Sequence, residues 1–530
     1  MVAASREEKV AARDAQSEGQ FVSPFARGFR IALDASVAKS DDGRVLVGGS
    51  RLKALRLEGR EVDEIARLTQ GEPALVTESN ERLVRVLLDL EMAWPVPSGG
   101  SLGIGDVTVV VPVRDHSRHV ERLLGAPGVF AGVAGIVLVD DGSQDGEARA
   151  LEEICSSAAG IEVTLLRCDT SVGPAEARNL GAKRAVTEVL VFVDADCRPE
   201  PGWLEPLLAH FDDEVVGAVA PRLRAVRTSL NRSSEDETSS ARGLRALAQE
   251  SFLAYELEMG PLDRGVRPSS VGPGKRISFV ATAALAVRRS AWQEVGGFDP
   301  ALRFGEDIDF SWRVCNHGWS IRYEPSSVLG HEIRDDLFGM LLQRYQYGTP
   351  AAVLASRYPD AFRTIEVEPS SALSFVLACA GHGLAGSAVV GASAVVSARR
   401  LTRIGIGWTD AVRKVGREQV RDGINLMWTM RRDFWPLTLL LAVLSRRFRR
   451  IAFGAAVLGP LLEWVRRRPA LSPARWLVLS LGDGLAHGAG VWRSCLRARS
   501  FEALVPAWRS IPSEASTVAD RDPNRSICRP

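Results

Sequence analysis

The chain has 530 residues, 46% hydrophobic and 25% charged, the make-up of an ordinary folded protein, which excludes wholesale disorder, collagen and simple repeats. Its formal net charge of +1 conceals a division: residues 371–530 hold 24 Lys/Arg against 10 Asp/Glu, while residues 1–370 hold 42 against 55. Two portions of opposite sign predict two different surroundings.

Residues 1–22 are polar and without apolar periodicity, and read as a flexible tail with no signal peptide. The seven cysteines form no Cys-x-x-Cys pair, which argues against a disulfide framework or structural zinc and fits a reducing compartment. A small α+β domain is predicted over 24–98. Its strands are FRIAL (29–33) and RVLV (44–47), flanking the turn DDG (41–43). Two helical patterns follow: Val62, Ile65, Ala66, Leu68 and Thr69 share one face, and Leu83, Val84, Val86, Leu87, Leu88 and Leu90 another. The run WPVPSGG (94–100) closes it as a linker. Order and size resemble the winged-helix-like peptide-binding modules of peptide-derived cofactor maturation, in which a precursor peptide adds a strand to the sheet edge. The other reading is a structural domain that packs on its neighbour.

Residues 104–348 alternate strands and helices. VTVVVP (107–112), GIVLV (135–139), VTLL (163–166) and VLVFV (189–193) are continuous apolar strands, as in a sheet covered on both faces. Helices predicted over 118–124, 147–157 and 174–185 make βαβ crossovers and a Rossmann-like, mainly parallel sheet. The stretch 228–240, TSLNRSSEDETSS, is a polar, flexible insertion.

Residues 371–500 form an apolar helical region, and 501–530 a second tail. The segment 371–398 has 28 residues without Asp, Glu, Lys or Arg, long enough to span a bilayer or to fold as a hairpin. Apolar runs at 435–444, 451–462 and 476–492 follow, the last two interrupted by Pro460 and Asp483. Arginines flank them at 399–400, 446–447, 449–450 and 466–468. This pattern predicts association with membrane lipid on the cytoplasmic face, peripheral or multi-pass.

The chemistry falls at strand ends, where open α/β sheets bind ligands. Asp140 and Asp141 follow the second strand, and Asp194 and Asp196 the fourth. An Asp-x-Asp at a strand end offers two hard oxygen donors to Mg2+ or Mn2+, which bridges to phosphate. Glu306 and Asp307 open a helix in GEDIDFSWRV; an acidic helix start is common in itself, because the helix dipole favours it. His331 follows an apolar segment and reads equally as a third metal ligand or diphosphate contact, or as a structural histidine.

The motifs VVVPVRD, VLVDDGS, VGPAEARNLG, VFVDADC and GEDIDFSWRV, in this order over about 240 residues, resemble the inverting family 2 glycosyltransferases of the GT-A fold. The resemblance implies a nucleotide-diphospho-sugar donor, a divalent metal and a hexosyltransferase that inverts configuration. It implies nucleotide-sugar contacts from Pro112, Val113, Arg114, Asp140, Asp141, Arg178, Asn179 and Asp194, Asp141 being the more direct of its pair. It also implies metal ligation by Asp194, Asp196 and His331, and a general base at Asp307 beside Glu306. A base at the acceptor hydroxyl and neutralisation of the leaving diphosphate are what direct displacement requires. QRYQYG (343–348) stands where processive relatives carry Gln-x-x-Arg-Trp, with a spacing that departs from it. Phe298, Trp312 and Trp319 read as core before sugar platforms.

The complete layout, with LVGGS (46–50), GPAEARN (173–179), FVATAAL (279–285) and RYQYGT (344–349), resembles the mycofactocin glycosyltransferase family. That resemblance implies UDP-glucose as donor and premycofactocin or its glycosylated forms as acceptor, extended by a β-linked oligoglucose chain. No nucleic-acid partner is expected. The alternative is a membrane-associated family 2 enzyme of cell-envelope polysaccharide or glycolipid synthesis.

Overall fold

The structure, a computed structural model, describes residues 25–518 apart from 27, 50–51, 69–72, 97–98, 159, 228–239, 335, 360, 364 and 509–515. The tail at 1–22, nearly all of the polar insertion at 228–240 and the last twelve residues lie outside the described residues.

The central sheet is built from β1 (Val107–Val113), β2 (Gly135–Asp140), β3 (Val163–Arg167) and β4 (Val189–Val193), parallel in the spatial order β3-β2-β1-β4. Helices α1 (Ser117–Leu124), α2 (Asp145–Ser157) and α3 (Pro174–Arg184) cross between them. Alternate side chains face opposite layers. Val107, Val109, Val111, Val189, Val191 and Val193 join one core, and Val110, Leu190 and Phe192 the other. Each fully buried side chain of this size contributes about 1.5–3 kcal/mol, so an all-apolar strand is stable only where both faces are covered.

Beyond β4 the sheet becomes mixed. It adds β5 (Cys197–Pro199), β6 (Val216–Val226), β7 (Ser269–Val271), β8 (Ala284–Arg288) and β9 (Ser320–Glu332), in the order β5-β9-β6-β8-β4, with β7 also on β9. β8 runs antiparallel to both β4 and β6, while β6 and β9 are parallel. Their register shifts after Pro221, where Pro325, Ser326 and Ser327 of β9 have no partner. Helix α4 (Ser240–Met259) precedes β7, and α5 (Glu306–Asn316) connects β8 to β9. The α/β architecture is the expected one; its parallel order is unbroken over the four strands read from sequence and recurs within this sheet only in the β6–β9 pair among the described residues.

The N-terminal residues form two small sheets and two helices. Arg30–Leu33 pairs antiparallel with Ala74–Leu75 and Ala93–Val96. Ala38–Lys39, Val45–Gly48 and Lys53–Arg56 form an antiparallel meander, and Ser516–Thr517 adds a parallel strand to its edge, burying Val518 in the same core. The sequence reading of 501–530 as a plain tail is therefore corrected at 516–518. Arg60–Leu68 and Glu81–Asp89 are the helices. The second carries an ion pair into the central sheet: Arg85 grips the fully buried Asp213 with two bonds of 2.8 Å, and Arg322 of β9 binds the same carboxylate.

The C-terminal region is helical: α6 (Leu337–Gly348), α7 (Ala351–Arg357), α8 (Pro369–Cys379), α9 (Gly383–Arg403), α10 (Trp408–Arg432), α11 (Trp435–Leu444), α12 (Arg446–Arg467) and α13 (Pro473–Ala498). The uncharged stretch 371–398 is not one helix. It breaks at Ala380, Gly381 and His382 into the α8–α9 hairpin, which corrects the spanning alternative. Among the described residues no helix is long and apolar enough to cross a membrane. Asp483, which interrupts an apolar run, lies 3.2 Å from Arg344 and accepts a 3.0 Å bond from Tyr255. Arg344 also pairs with the buried Glu256, so α4, α6 and α13 share one ionic core.

Candidate active site

A cleft of about 890 Å³ opens at the carboxyl ends of β1, β2 and β4. Pro112, Val113 and Arg114, at the end of β1, line one wall, and Asp141, Arg178, Asp194 and Asp196 line others. The loops after β1 and β2 are tied together: Asp115 N–H donates to Ser143 Oγ and Gln144 N–H to Asp115 Oδ1.

The two aspartates after β2 have different surroundings. Asp140 is buried; its Oδ1 accepts from Ser143 N–H at 2.9 Å, while its Oδ2 has no hydrogen-bond partner and lies 3.8 Å from Arg167 Nε. Asp141 faces the cleft but also organises it, accepting from Val172 N–H (2.5 Å), Gly173 N–H (3.1 Å) and Ser171 Oγ (2.9 Å). This close loop packing needs Gly142. Its φ is +70°, and a Cβ there would lie 2.6 Å from Ser171 N.

Helix α3 follows that loop and brings in Arg178, which is almost fully buried. Its Nη2 donates to Asp194 Oδ1 at 2.5 Å and its Nη1 reaches Glu306 Oε1 at 3.4 Å. Asn179 does not line the cleft. Its amide donates to the Phe298 carbonyl and its Oδ1 accepts from Phe298 N–H, clamping the loop that leads to α5. Asn179 is thus placed as a positioning residue, away from the wall that faces a ligand.

Strand pairing explains how His331 meets Asp196. β5 lies antiparallel to β9 with Cys197 opposite His331, and this leaves His331 Nε2 3.5 Å from Asp196 Oδ1. That oxygen is buried and has no hydrogen-bond partner, although a carboxylate oxygen out of water strongly favours one. Among the described residues no three His, Cys, Asp or Glu side chains form a ready metal cage. The donor set nonetheless fits a divalent cation of the kind held by one or two carboxylates and completed by substrate phosphate.

Glu306 and Asp307 begin α5. Gly305 turns the chain into the helix at φ +80°, with Pro350 packed where a Cβ would stand. Neither carboxylate lines the cleft; Glu306 joins it through Arg178. Burial, then the charge of Asp307, pushes the Glu306 carboxyl up to about 7 against the pull of Arg178. Burial also raises Asp307, opposed by the Ile308 N–H at 2.8 Å and by the charges of Arg264 and Arg178. Asp309, in the same acidic turn, is structural: it pairs with Arg313 and Arg357 and accepts from Tyr358.

Several residues that sequence motifs did not single out belong to this neighbourhood. Arg264 lies over the Phe279 ring at 4.9 Å and faces Asp307 electrostatically. His116, His119, Arg303 and Arg334 line the cleft, and Glu332 beside them lies 3.2 Å from His119 and accepts from Arg198. The two histidines sit just past VVVPVRD, which was the available signal. Phe298 is packed between Phe192 and Phe310, and Trp312 donates to the Ser278 carbonyl against Tyr358, so both are core. Trp319 is anchored to Glu294. Arg344 of QRYQYG points into the ionic core with Glu256.

The chain is similar to known proteins. The description "Glycosyl transferase family 2" matches residues 132–260, and "Glycosyl transferase family group 2" matches residues 262–464. A "Pre-mycofactocin glycosyltransferase" of Mycobacterium tuberculosis, from both strains H37Rv and CDC 1551, is 34% identical over 496 residues, 91% of this chain and 98% of that one. Human polypeptide N-acetylgalactosaminyltransferase 15 is 34% identical over 205 residues, 37% of this chain and 30% of its own length. The mannosyltransferase PcManGT from Pyrobaculum calidifontis, solved with GDP-Man and Mn2+, aligns loosely, with a TM-score of 0.36, 16% identity, and coverage of 76% of this chain and 95% of that one.

Proposed function

Because the chain belongs to the family 2 glycosyltransferases, in the family of the pre-mycofactocin glycosyltransferase, and is thus a nucleotide-sugar hexosyltransferase, we propose that it transfers glucose from UDP-glucose onto premycofactocin, with inversion, and extends a β-linked oligoglucose chain. The observation that carries this reading is the 34% identity, over 91% of this chain, to a pre-mycofactocin glycosyltransferase; the junction at Arg178, which brings Asp194 of the cleft and Glu306 of the α5 start onto one guanidinium, fits the transfer chemistry.

In this reading Asp307 takes the proton from the acceptor hydroxyl as its oxygen attacks the anomeric carbon. The bond to the diphosphate breaks on the opposite face, so configuration inverts once. Arg178 holds Glu306 and Asp194 in fixed relation and adds positive charge next to the leaving group. Pro112, Val113, Arg114 and Asp141 hold the nucleotide at the β1 and β2 ends, with Asp140 behind them. Asp194, Asp196 and His331 would hold Mg2+ or Mn2+, which when bound supplies neutralisation of the diphosphate. The reaction takes place on the cytoplasmic face of the cell membrane, the side where nucleotide sugars are found.

Purified protein with UDP-glucose, a divalent metal and premycofactocin should give products heavier by successive single hexoses in mass analysis, and Asp307→Asn should give none. The exposed apolar C-terminal helices favour one second reading, a lipid-linked acceptor in envelope synthesis. Labelled glucose entering a lipid extract while premycofactocin stays unchanged would select it and overturn the first.

A further inference from the structure

The C-terminal helices present an apolar surface that no described element covers. Helix α11 has no buried residue, although eight of its ten residues are Leu, Val, Ala or Trp. Leu439 and Leu440 are more than half exposed, Val443 is 77% exposed, and Leu444 is similarly bare. On α12, Phe453 is 70% exposed, and Leu458, Leu462 and Val465 are more than half exposed. The opposite faces of these helices are packed: Met430, Phe448 and Ala455 form a core with Phe375, Cys379 and Ile451. The bare residues are thus the outer side of a folded layer.

Positive charge sits in the same place. Arg446, Arg447, Arg449 and Arg450 follow Val443 and Leu444 at the α11–α12 junction, and all four are exposed. No described carboxylate pairs with them. Arg447 donates to the Ala380 carbonyl at 3.0 Å, which brings the tip of the α8–α9 hairpin to this junction. Leu384, 91% exposed, lies just beyond that tip. Apolar side chains with unpaired arginines at their border match one kind of partner: a surface with an apolar interior and anionic headgroups. A protein partner would need an apolar face with carboxylates around it. A bilayer leaflet rich in anionic lipid offers both layers at the right depth.

We propose that the α11–α12 junction and the α8–α9 tip dock the protein on an anionic lipid surface, lying in the interface without crossing it. The absence of any membrane-crossing helix among the described residues agrees with this mode. Docking concerns the outer face of the helical region and stands or falls apart from the transfer reaction.

The test uses the full chain and vesicle flotation. Wild type should float with phosphatidylglycerol-containing vesicles and much less with pure phosphatidylcholine, and 0.5 M salt should release most of it. Arg446→Glu/Arg449→Glu/Arg450→Glu should weaken binding at least a hundredfold, since each basic residue near such a surface contributes roughly a factor of five. Val443→Ser/Leu444→Ser should weaken it at low and high salt alike. Both variants should melt like wild type and retain hexose transfer without vesicles, which separates lost docking from misfolding. Equal flotation with neutral and anionic vesicles would overturn the proposal. So would no flotation, or a dimer in light scattering that loses its contact in the Ser variant while vesicles are ignored.

Discussion

Replacing Glu306 by Gln should stabilise the protein, and the gain should depend on pH. Glu306 is 14% exposed, lies 3.4 Å from Arg178 and adjoins Asp307. Its carboxyl is raised from an ordinary value of 4.5 to about 7, with burial as the main cause. A folded-state pKa above the unfolded one means that the native protein holds a proton which the unfolded chain has already released. Stability from this group is complete below about pH 4.5 and is lost as pH climbs through 7. Glutamine mimics the protonated form and escapes that loss. At about 1.4 kcal/mol per unit, the ceiling is about 3 kcal/mol at pH 8. For a domain of this size that corresponds to a rise in melting temperature of up to about 10 °C. The assay is a pair of thermal melts across pH 4 to 8.5. The difference between variant and wild type should be small at the acid end, grow between pH 4.5 and 7, and level off above. A difference that stays flat with pH, or a variant less stable than wild type at pH 8, would refute the burial argument.

Two further outcomes follow from contacts away from this group. Asp213→Ala leaves the guanidiniums of Arg85 and Arg322 buried without their carboxylate, and should lower unfolding free energy by about 3–5 kcal/mol, seen as an earlier urea midpoint. Asp141→Ala removes the acceptor for Val172 and Gly173 N–H; it should raise the KM for the nucleotide sugar by about 10- to 100-fold, with kcat changing less.

The parts legible in the sequence were those with local causes. β1, β2 and β4 are dominated by Val, Leu, Ile and Phe, and an acidic residue closes each strand or follows it within two residues. β8 escaped notice because ALAVR is alanine-rich and reads as helix as readily as strand. β9 escaped because Pro325 and two serines interrupt it at an irregularity in the register. The site shows the same limit. Each carboxylate pair could be found by motif, but Arg178 and Glu306 are 128 residues apart, and only the folded sheet brings them together. Asn179 lies beside Arg178 in the same motif, yet the helix turns it towards Phe298 and away from the cleft. In the helical region the apolar runs were plain. The break at Gly381, with φ at +92°, was hidden among many small residues that any helix accepts.

The strand formed by Ser516–Thr517 has a consequence for how the protein is made. Three strands of its sheet, from Ala38 to Arg56, leave the ribosome before the central sheet and the helical region, whereas the fourth emerges only after both. Until then the Lys53–Arg56 edge is open and the place of Val518 in the core is empty. This early-made sheet is therefore finished by residues made after every catalytic motif. A stop before Ser516 that spares every catalytic motif would still leave this sheet one strand short.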